Sequence, residues 1–453
     1  QRQLADLRVL RSTWEGEPYL AAGAPWYSTV FGRDSLITAL QVLELDPSVA
    51  RGSLRLLASR QGRIRDLRRE EEPGKILHEM RQSALCNSGD LVFGRYYGSV
   101  DSTPLFLMTL GAYVRRTGDT SLWRELRPNA EAALEWIERT GDHDGDGYLD
   151  YDADGGGLIQ QAWKDSGDSM VNVDGSLAEP PIAPVEVQGY AWRARLEMAG
   201  LLSLDGDEAE AGRLRREAEN LRRRLLRDYW LGVDRGFAVA RQRAGRPVET
   251  VTSNPGHLLW VGALPPGLAR ATAKRLLRED MFSGWGIRTY ATGQARYDAG
   301  SYQLGSVWPH DTMLALTGMA AYGMRRDFAM GLQGLVGVAE ADGEHRLPEL
   351  FSGTAAGRPE PYQDACTPQA WAAGSVVHGL CGGVAGLRVD GLRRAVRVAA
   401  WLPSWMGGRL SLTGVRVDRR SGPLDLELSG SGAGTEVRVL RCPADVRLEI
   451  ARP

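Results

Sequence analysis

Cysteine is scarce in this chain. Cys86, Cys366, Cys381 and Cys442 are the only four in 453 residues, and none forms a Cys-x-x-Cys pair. That spacing argues against a zinc site and gives little support for a disulfide framework, so a reducing cytoplasm is the expected compartment. An excess of one charge is lacking too: 55 Lys and Arg face 57 Asp and Glu, a net charge of −2. Without a basic footprint, nucleic acid is not an expected partner. No apolar run approaches the ~18 residues of a membrane span, so no membrane partner is expected. The chain opens Gln1-Arg2-Gln3, without an initiator Met or a signal-peptide pattern. The expectation is the trimmed start of a longer protein.

What is abundant is apolar mass and tryptophan. The 43% hydrophobic content can fill a large core. Of the 13 tryptophans, Trp26, Trp163, Trp260, Trp285, Trp308 and Trp371 sit in Gly/Pro-rich joints rather than in mid-helix. Indoles bury area against helices, and they also stack on the apolar faces of sugars.

Helical periodicity dominates to about residue 385. Leu214, Ala218, Leu221 and Leu225 form one stripe, and Leu126, Ala130, Ala133 and Ile137 another, with charge on the opposite faces. The stretches 104–114 and 311–322 are apolar nearly all round, which marks buried helices. The pattern predicts twelve helices, at 2–11, 34–45, 47–60, 103–116, 120–138, 184–202, 207–228, 254–264, 266–278, 306–324, 325–340 and 367–382. They tend to alternate, a more buried helix followed by a more charged one. The expected fold is therefore mainly α: an (α/α)6 toroid of six helical hairpins over 1–385, with a small β appendage over 386–453. In the tail, Val396/Val398, Leu410/Leu412, Val415/Val417, Leu424/Leu426/Leu428 and Val437/Val439 alternate with polar residues between Gly, Ser and Asp turns. That is strand periodicity.

The joints before the buried helices hold the unusual residues. They include 26–34, 97–101, 163–169, 253–257, 305–311 and 346–351. In a toroid those ends converge on one cavity, and loops on a rigid scaffold are where sites are built. Asp34, Asp101 and Ser253 are also good N-cap types. Capping does not explain why Trp, Arg and His keep joining them.

Two of these joints carry the chemistry. Trp163-Lys164-Asp165-Ser166-Gly167-Asp168-Ser169 places carboxylates in a Gly/Ser turn. Leu347-Pro348-Glu349-Leu350-Phe351 holds an acid between apolar residues. Glycosidic hydrolysis needs two carboxyl groups of different character, one protonated to serve the leaving oxygen and one ionised to activate water or attack the sugar. By contrast, Asp142-His143-Asp144-Gly145-Asp146 resembles the start of a calcium loop, but Ala153 stands where a bidentate Glu belongs. An Asp/Gly turn is the expected reading, with no metal assigned.

Several motifs in order resemble the bacterial amylo-α-1,6-glucosidase family, related to the glucosidase half of glycogen debranching enzymes. Its carriers include Phe31-Gly32-Arg33-Asp34, the 74–79 run ending His78-Glu79, and Tyr97-Gly98-Ser99-Val100-Asp101. Further carriers are Trp163-Lys164-Asp165-Ser166, the 185–190 segment with Glu186, 305–311, 347–351 and Pro368-Gln369-Ala370-Trp371. The resemblance implies a six-hairpin toroid and inverting release of terminal α-linked glucose, with the general acid on Asp165 and the general base on Glu349. It implies substrate-binding roles for Trp26, Arg33, Asp34, Trp163, Lys164 and Trp308, and further candidates in Lys75, Glu79, Asp101, Glu186, His257 and His310. Asp168 is the rival for the acid. Members usually carry a β domain before the toroid, which does not precede it here.

The expected partner is a carbohydrate, an α-glucan or α-glucoside, and the mechanism needs no metal or organic cofactor. Branch stubs of glycogen or dextrins are the expected substrate. Another small α-glucoside or disaccharide is the alternative. An inverting phosphorylase would make the base dispensable, so Glu349 speaks against it, and both carboxylates speak against an inactive carbohydrate-binding protein.

Overall fold

The computed structural model describes residues 1–451 apart from 154, 356, 358, 419 and 420. The chain is mainly helical. Its α-helices are α1 (Arg2–Val9), α2 (Gly32–Val42), α3 (Pro47–Ser59), α4 (Ala84–Asn87), α5 (Ser102–Thr117), α6 (Thr120–Arg139) and α7 (Val185–Leu204). They continue with α8 (Glu208–Asp228), α9 (Pro255–Val261), α10 (Pro266–Leu276), α11 (Pro309–Ala321), α12 (Arg325–Ala341) and α13 (Ala370–His378).

Local chemistry sets most of the boundaries. Asp46, Asp119 and Asp207 cap α3, α6 and α8 by accepting backbone N–H groups of the first turn. Pro stands at the start of α3, α9, α10 and α11, where its missing N–H costs nothing. Gly262 ends α9 in the left-handed region, at φ 79°.

Contacts between helices run in two series. α2 packs on α5, α5 on α7, α7 on α9, α9 on α11, α11 on α13, and α13 back on α2. Outside them, α3 lies on α2, α6 on α5, α8 on α7, α10 on α9, α12 on α11, and α1 on α13. Burial follows this division. α5 and α11 are buried on nearly every face, whereas α8 buries only the stripe Ala211, Leu214, Ala218, Leu221 and Leu225. The N-terminal α1 pairs with the last helix, so the sixth hairpin is made from the two ends of the helical region. Because each outer helix returns the chain, all the inner helices start at the same end.

Four expectations change. Among the described residues thirteen helices form where twelve are expected, α4 being the addition, and the one expected at 367–382 spans only Ala370–His378. The helix expected at 2–11 stops at Val9, and Arg11–Trp14 and Glu17–Leu20 form a hairpin instead. The turn is Glu15-Gly16, both at positive φ, and the register it sets pairs Arg11 with Leu20, which takes Arg11 out of the helix. The helix expected from 306 starts at Pro309, behind an extended Trp308.

Beyond residue 387 the chain forms strands. Arg409–Arg416, Pro423–Ser429 and Glu436–Arg441 make one antiparallel sheet. A second sheet pairs Ala395–Val398 with Arg388–Asp390 and, in parallel, with Arg447–Ile450. Buried Arg116 of α5 donates to the carbonyls of Glu44 and Val417, which ties this region to the helices. No helix among the described residues is long and apolar enough to cross a membrane. The four cysteines are unpaired.

Candidate active site

The starts of the inner helices and the loops before them enclose a cavity of about 570 Å³. At its first wall, extended Phe31 leads into α2. Gly32 lies so close to the 77–79 segment that a Cβ there would sit 2.1 Å from the Leu77 carbonyl. This brings Arg33 and Asp34 to the cavity, opposite His78 and Glu79. Arg33 is buried. Its Nη1 donates to Asp101 at 3.1 Å and its Nη2 to Asp165 Oδ2 at 2.5 Å. Asp101 is itself fixed by the Ser99 hydroxyl, 2.6 Å away. The loop of Asp165 is thus held by an arginine whose charge is shared with a second, fully buried carboxylate.

Gln303 holds the same loop from the other side. Its Oε1 accepts from Ser166 N at 2.8 Å and Ser166 Oγ at 2.9 Å. Its Nε2 donates to the Trp163 carbonyl at 3.0 Å and reaches Asp165 Oδ1 only at 3.5 Å. One oxygen of Asp165 is therefore taken by Arg33 while the other is weakly engaged. Burial raises this carboxyl above the usual aspartate range, although Arg33 works against the shift.

Glu349 is held differently. Tyr302 Oη donates to Oε1 at 2.7 Å, and the Cys366 backbone N–H donates to Oε2 at 2.8 Å. Both oxygens are acceptors, the pattern of an ionised carboxylate. Burial still pushes its pKa upward, and these hydrogen bonds oppose the rise. The adjacent residues Tyr302 and Gln303 thus anchor one carboxylate each.

The Asp34 side chain makes no hydrogen bond among the described residues, and its buried carboxyl is pushed up to about 7 by desolvation. Since the folded value lies above the unfolded one near 3.8, stability falls as pH rises from about 4 to about 7. At ~1.4 kcal/mol per pKa unit the penalty is a few kcal/mol at most. Asp34→Asn should therefore raise the melting temperature at pH 8, leave it unchanged near pH 4, and weaken substrate binding. Parallel melting curves for the two proteins across this pH range would refute the assignment.

The cavity walls are aromatic. Tyr27, Phe31, Trp163, Trp308 and Trp371 line it. The indole N–H groups of Trp163 and Trp371 are buried without a partner. Trp371 stacks on His310 at 3.7 Å, and Trp163 stacks on His257 at 5.8 Å.

Of the candidates from sequence, Arg33, Asp34, Glu79, Trp163, Asp165, Trp308 and Glu349 meet at the cavity. Asp168 is exposed and does not line it. Asp101 stands behind Arg33. His257 and His310 lie beneath the indoles. His257 contacts Asp311 at 2.7 Å, and burial holds His310 well below the usual histidine range, hence neutral. Glu186 accepts from Asn254 at 3.0 Å, away from the cavity. Lys164 is buried and donates to the Thr289 carbonyl, its pKa lowered to about 8 by desolvation. Lys75 is buried over the Trp136 ring. Trp26 is exposed, its carbonyl facing Arg81 at 3.5 Å.

Trp371, one of the joint tryptophans with a sugar-stacking reading, lines the cavity as well, as do Tyr27, His78, Arg81, Tyr302, Gln303 and Gln369, which the sequence did not mark as site residues. Gln369 and Trp371 lie in a quoted motif. Tyr302 and Gln303 carry no local signal, because their partners are distant in sequence. Asp142, Asp144 and Asp146 bring carboxylate oxygens within 4.8 Å of one another, and each accepts a backbone N–H of its own turn.

Gln303→Leu should release the loop that carries Asp165. A displacement of about 1 Å can cost of the order of 10²-fold. We expect the turnover of glycosides with poor leaving groups to fall by ~10–100-fold, with a smaller loss on activated aryl glycosides. Equal losses on both would mean a general structural effect.

The sequence model described as the mannosylglycerate hydrolase MGH1-like glycoside hydrolase domain matches residues 27–357, which include Asp165 and Glu349. Among solved structures, the chain resembles the GH63 mannosylglycerate hydrolase from Thermus thermophilus in complex with Tris. That likeness covers 84% of this chain and 99% of that one at 15% identity, with a TM-score of 0.66. A sialidase is similar over 96% of this chain and 38% of its own, at 14% identity and a TM-score of 0.67. The GH78 family rhamnosidase of Bacillus sp. GL1 is similar over 94% and 39%, at 14% identity and a TM-score of 0.65. At these identities the likeness is one of fold. No curated protein matches the chain in sequence. The six-hairpin glycosidases resembled by the sequence motifs are thus the group found, through a different member family from the debranching one.

Proposed function

The chain belongs to the mannosylglycerate hydrolase MGH1-like glycoside hydrolase family, and from that premise we propose that it is an inverting glycosidase acting on the terminal sugar of small α-glycosides. The observation that carries the reading is that Asp165 and Glu349 line one cavity with opposite anchoring. Asp165 has a weakly engaged oxygen free to carry a proton, whereas both oxygens of Glu349 accept hydrogen bonds.

The terminal sugar enters between the aromatic walls, with its apolar faces against the rings of Trp163, Trp308 and Trp371 and its hydroxyls toward the polar side chains. Asp34 accepts from one hydroxyl. Asp165 passes its proton to the glycosidic oxygen as the bond to the anomeric carbon breaks. Glu349 draws a proton from a water on the opposite face, and the anomeric configuration inverts.

A cavity of about 570 Å³ suits a sugar with a small aglycone. Arg81 at its rim, stacked over Tyr27 and Phe31, adds a cation that an acidic aglycone can approach, although Glu79 already takes part of its charge. Release of α-1,6 branch stubs is the second reading, favoured by the sequence motifs.

The test is a sugar-release assay with and without phosphate on mannosylglycerate, disaccharides and branched dextrins. Free sugar from the small glycosides, independent of phosphate, is the expected result. Release from branched dextrins alone would favour the second reading. A sugar phosphate would mean phosphorolysis, and no release from any substrate would sink the proposal.

A further inference from the structure

A second cavity, of about 720 Å³, lies at the opposite end of the helices. Its floor is made by the C-terminal parts of the inner helices, including Gln41 of α2, Met108 of α5, Trp260 of α9 and His378 of α13. Its cover is the sheet of Arg388–Asp390, Ala395–Val398 and Arg447–Ile450. None of the catalytic groups reaches it.

The lining is strongly basic, with seven arginines against four acids. Most of this charge is accounted for. Arg115 and Arg193 pair with Glu197, Arg116 with Glu44, Arg393 with Asp390, and Arg397 with Glu449. Arg115 and Arg116 also stand in the last turn of α5, where positive charge complements the helix dipole.

Two arginines are less fully compensated: Arg388 only through space, by a Glu44 that Arg116 already engages, and Arg447 by no pair among the described residues. Both are exposed at the cavity, and neither has a hydrogen bond or ion pair from its side chain among the described residues. Arg388 also lies directly opposite Arg397 in the antiparallel pair. Like charges in that position repel, and an anion between them would relieve the repulsion.

The floor adds an independent observation. Gln41 is 2% exposed, and neither its amide oxygen nor its amide nitrogen has a partner. His378 Nε2 is likewise buried and unpartnered, with the edge of Trp260 against its ring at 6.5 Å. A buried amide left unsatisfied costs about 1–3 kcal/mol. Gln41 and His378 both belong to the cavity lining, so a small turn of either side chain brings an unsatisfied polar atom to an occupant's hydroxyls.

We propose that this far cavity binds a small anionic carbohydrate, a sugar phosphate or a sugar acid. Arg388 and Arg447 hold its anionic group, while Gln41 and His378 meet its hydroxyls. The site stands apart from the hydrolytic one and does not depend on the substrate proposed above.

The test is calorimetric titration of the full chain with inorganic phosphate, a hexose phosphate, a hexuronate and neutral glucose, each with saturating product sugar in the catalytic cavity. The hexose phosphate or the hexuronate should bind, and whichever is tighter identifies the anion. Inorganic phosphate should bind at least tenfold more weakly, and neutral glucose should not bind at this site. The double variant Arg388→Ala/Arg447→Ala changes only exposed side chains. It should lose at least tenfold in affinity and keep its hydrolytic kcat/KM. Gln41→Leu should weaken the sugar anion without changing the affinity for inorganic phosphate. Failure of both sugar anions to bind, or undiminished binding in the double variant, would overturn the proposal. Equal affinity for inorganic phosphate and hexose phosphate would overturn the role given to Gln41 and His378.

Discussion

Glu349→Gln is expected to reduce hydrolysis by at least about 10³-fold, in the upper part of the range for lost acid–base catalysis, while the fold stays intact. The amide has the shape of the carboxylate. Its oxygen can accept from the Cys366 N–H, and its nitrogen can donate to Tyr302, whose hydroxyl also accepts. What it cannot do is take a proton from water. No activated leaving group compensates, because the missing step lies on the attacking side, so aryl glycosides should suffer as much as natural ones. Proton NMR in the first minutes of the wild-type reaction supplies the stereochemical half of this prediction. An α-glycoside should give the β-anomer first. Initial appearance of the α-anomer would mean a retaining reaction, and Glu349 would have to be recast as a nucleophile.

The pH profile follows from the same assignment. Burial raises both carboxyls. Glu349 must be ionised, so activity is lost as pH falls through its raised pKa. Asp165 must be protonated, so activity is lost as pH rises through its own. A bell-shaped dependence of kcat/KM displaced upward from the ordinary carboxylate range is the expected form.

Much of this arrangement is legible from residue spacing. The apolar stripe of α8 and the all-round apolar character of α5 and α11 separate outer helices from inner ones, since burial of one face or of all faces is written into the periodicity. The recurrence of Trp, Arg, Asp and His at the starts of inner helices points to one end of the fold. Closure by α1 against α13 is not legible, because nothing local in Arg2–Val9 specifies a partner more than 350 residues away. The hairpin at 11–20 is readable from Glu15-Gly16 and Pro18, and only its first residue, Arg11, falls in the helix expected at 2–11. Sequence could not choose between Asp165 and Asp168, which lie three residues apart in one turn. The structure turns Asp165 to Arg33 and the cavity and leaves Asp168 in solvent. Tyr302 and Gln303 were invisible for a different reason: a neutral side chain that positions a carboxylate through tertiary contacts has no compositional signature. Lys75, Lys164 and Glu186 show the converse. Charged residues beside catalytic motifs attract attention, yet these three are buried in the supporting framework.

Asp165→Asn is expected to separate substrates by leaving group. The substitution keeps an oxygen for Arg33. Its amide nitrogen meets the Gln303 amide nitrogen donor to donor, so the weak 3.5 Å contact is lost, but Gln303 keeps Ser166 and the Trp163 carbonyl and the loop should hold its place. Arg33 loses one of its two anionic partners but keeps Asp101 at 3.1 Å, so a modest fall in melting temperature is expected rather than unfolding. The chemical loss is the proton. A sugar or other alcohol leaving as an alkoxide needs it, and the rate on such substrates should fall by about 10²–10⁴. An aryl glycoside with a strongly acidic phenol hardly needs it, and its rate should fall far less. With the acid gone, the alkaline limb of the pH profile on the aryl substrate should disappear while the acidic limb, set by Glu349, remains. Measuring kcat/KM against pH on both substrate types checks the whole assignment at once. Equal losses on both, or an alkaline limb that survives in the variant, would show that Asp165 holds the loop and that the proton comes from elsewhere.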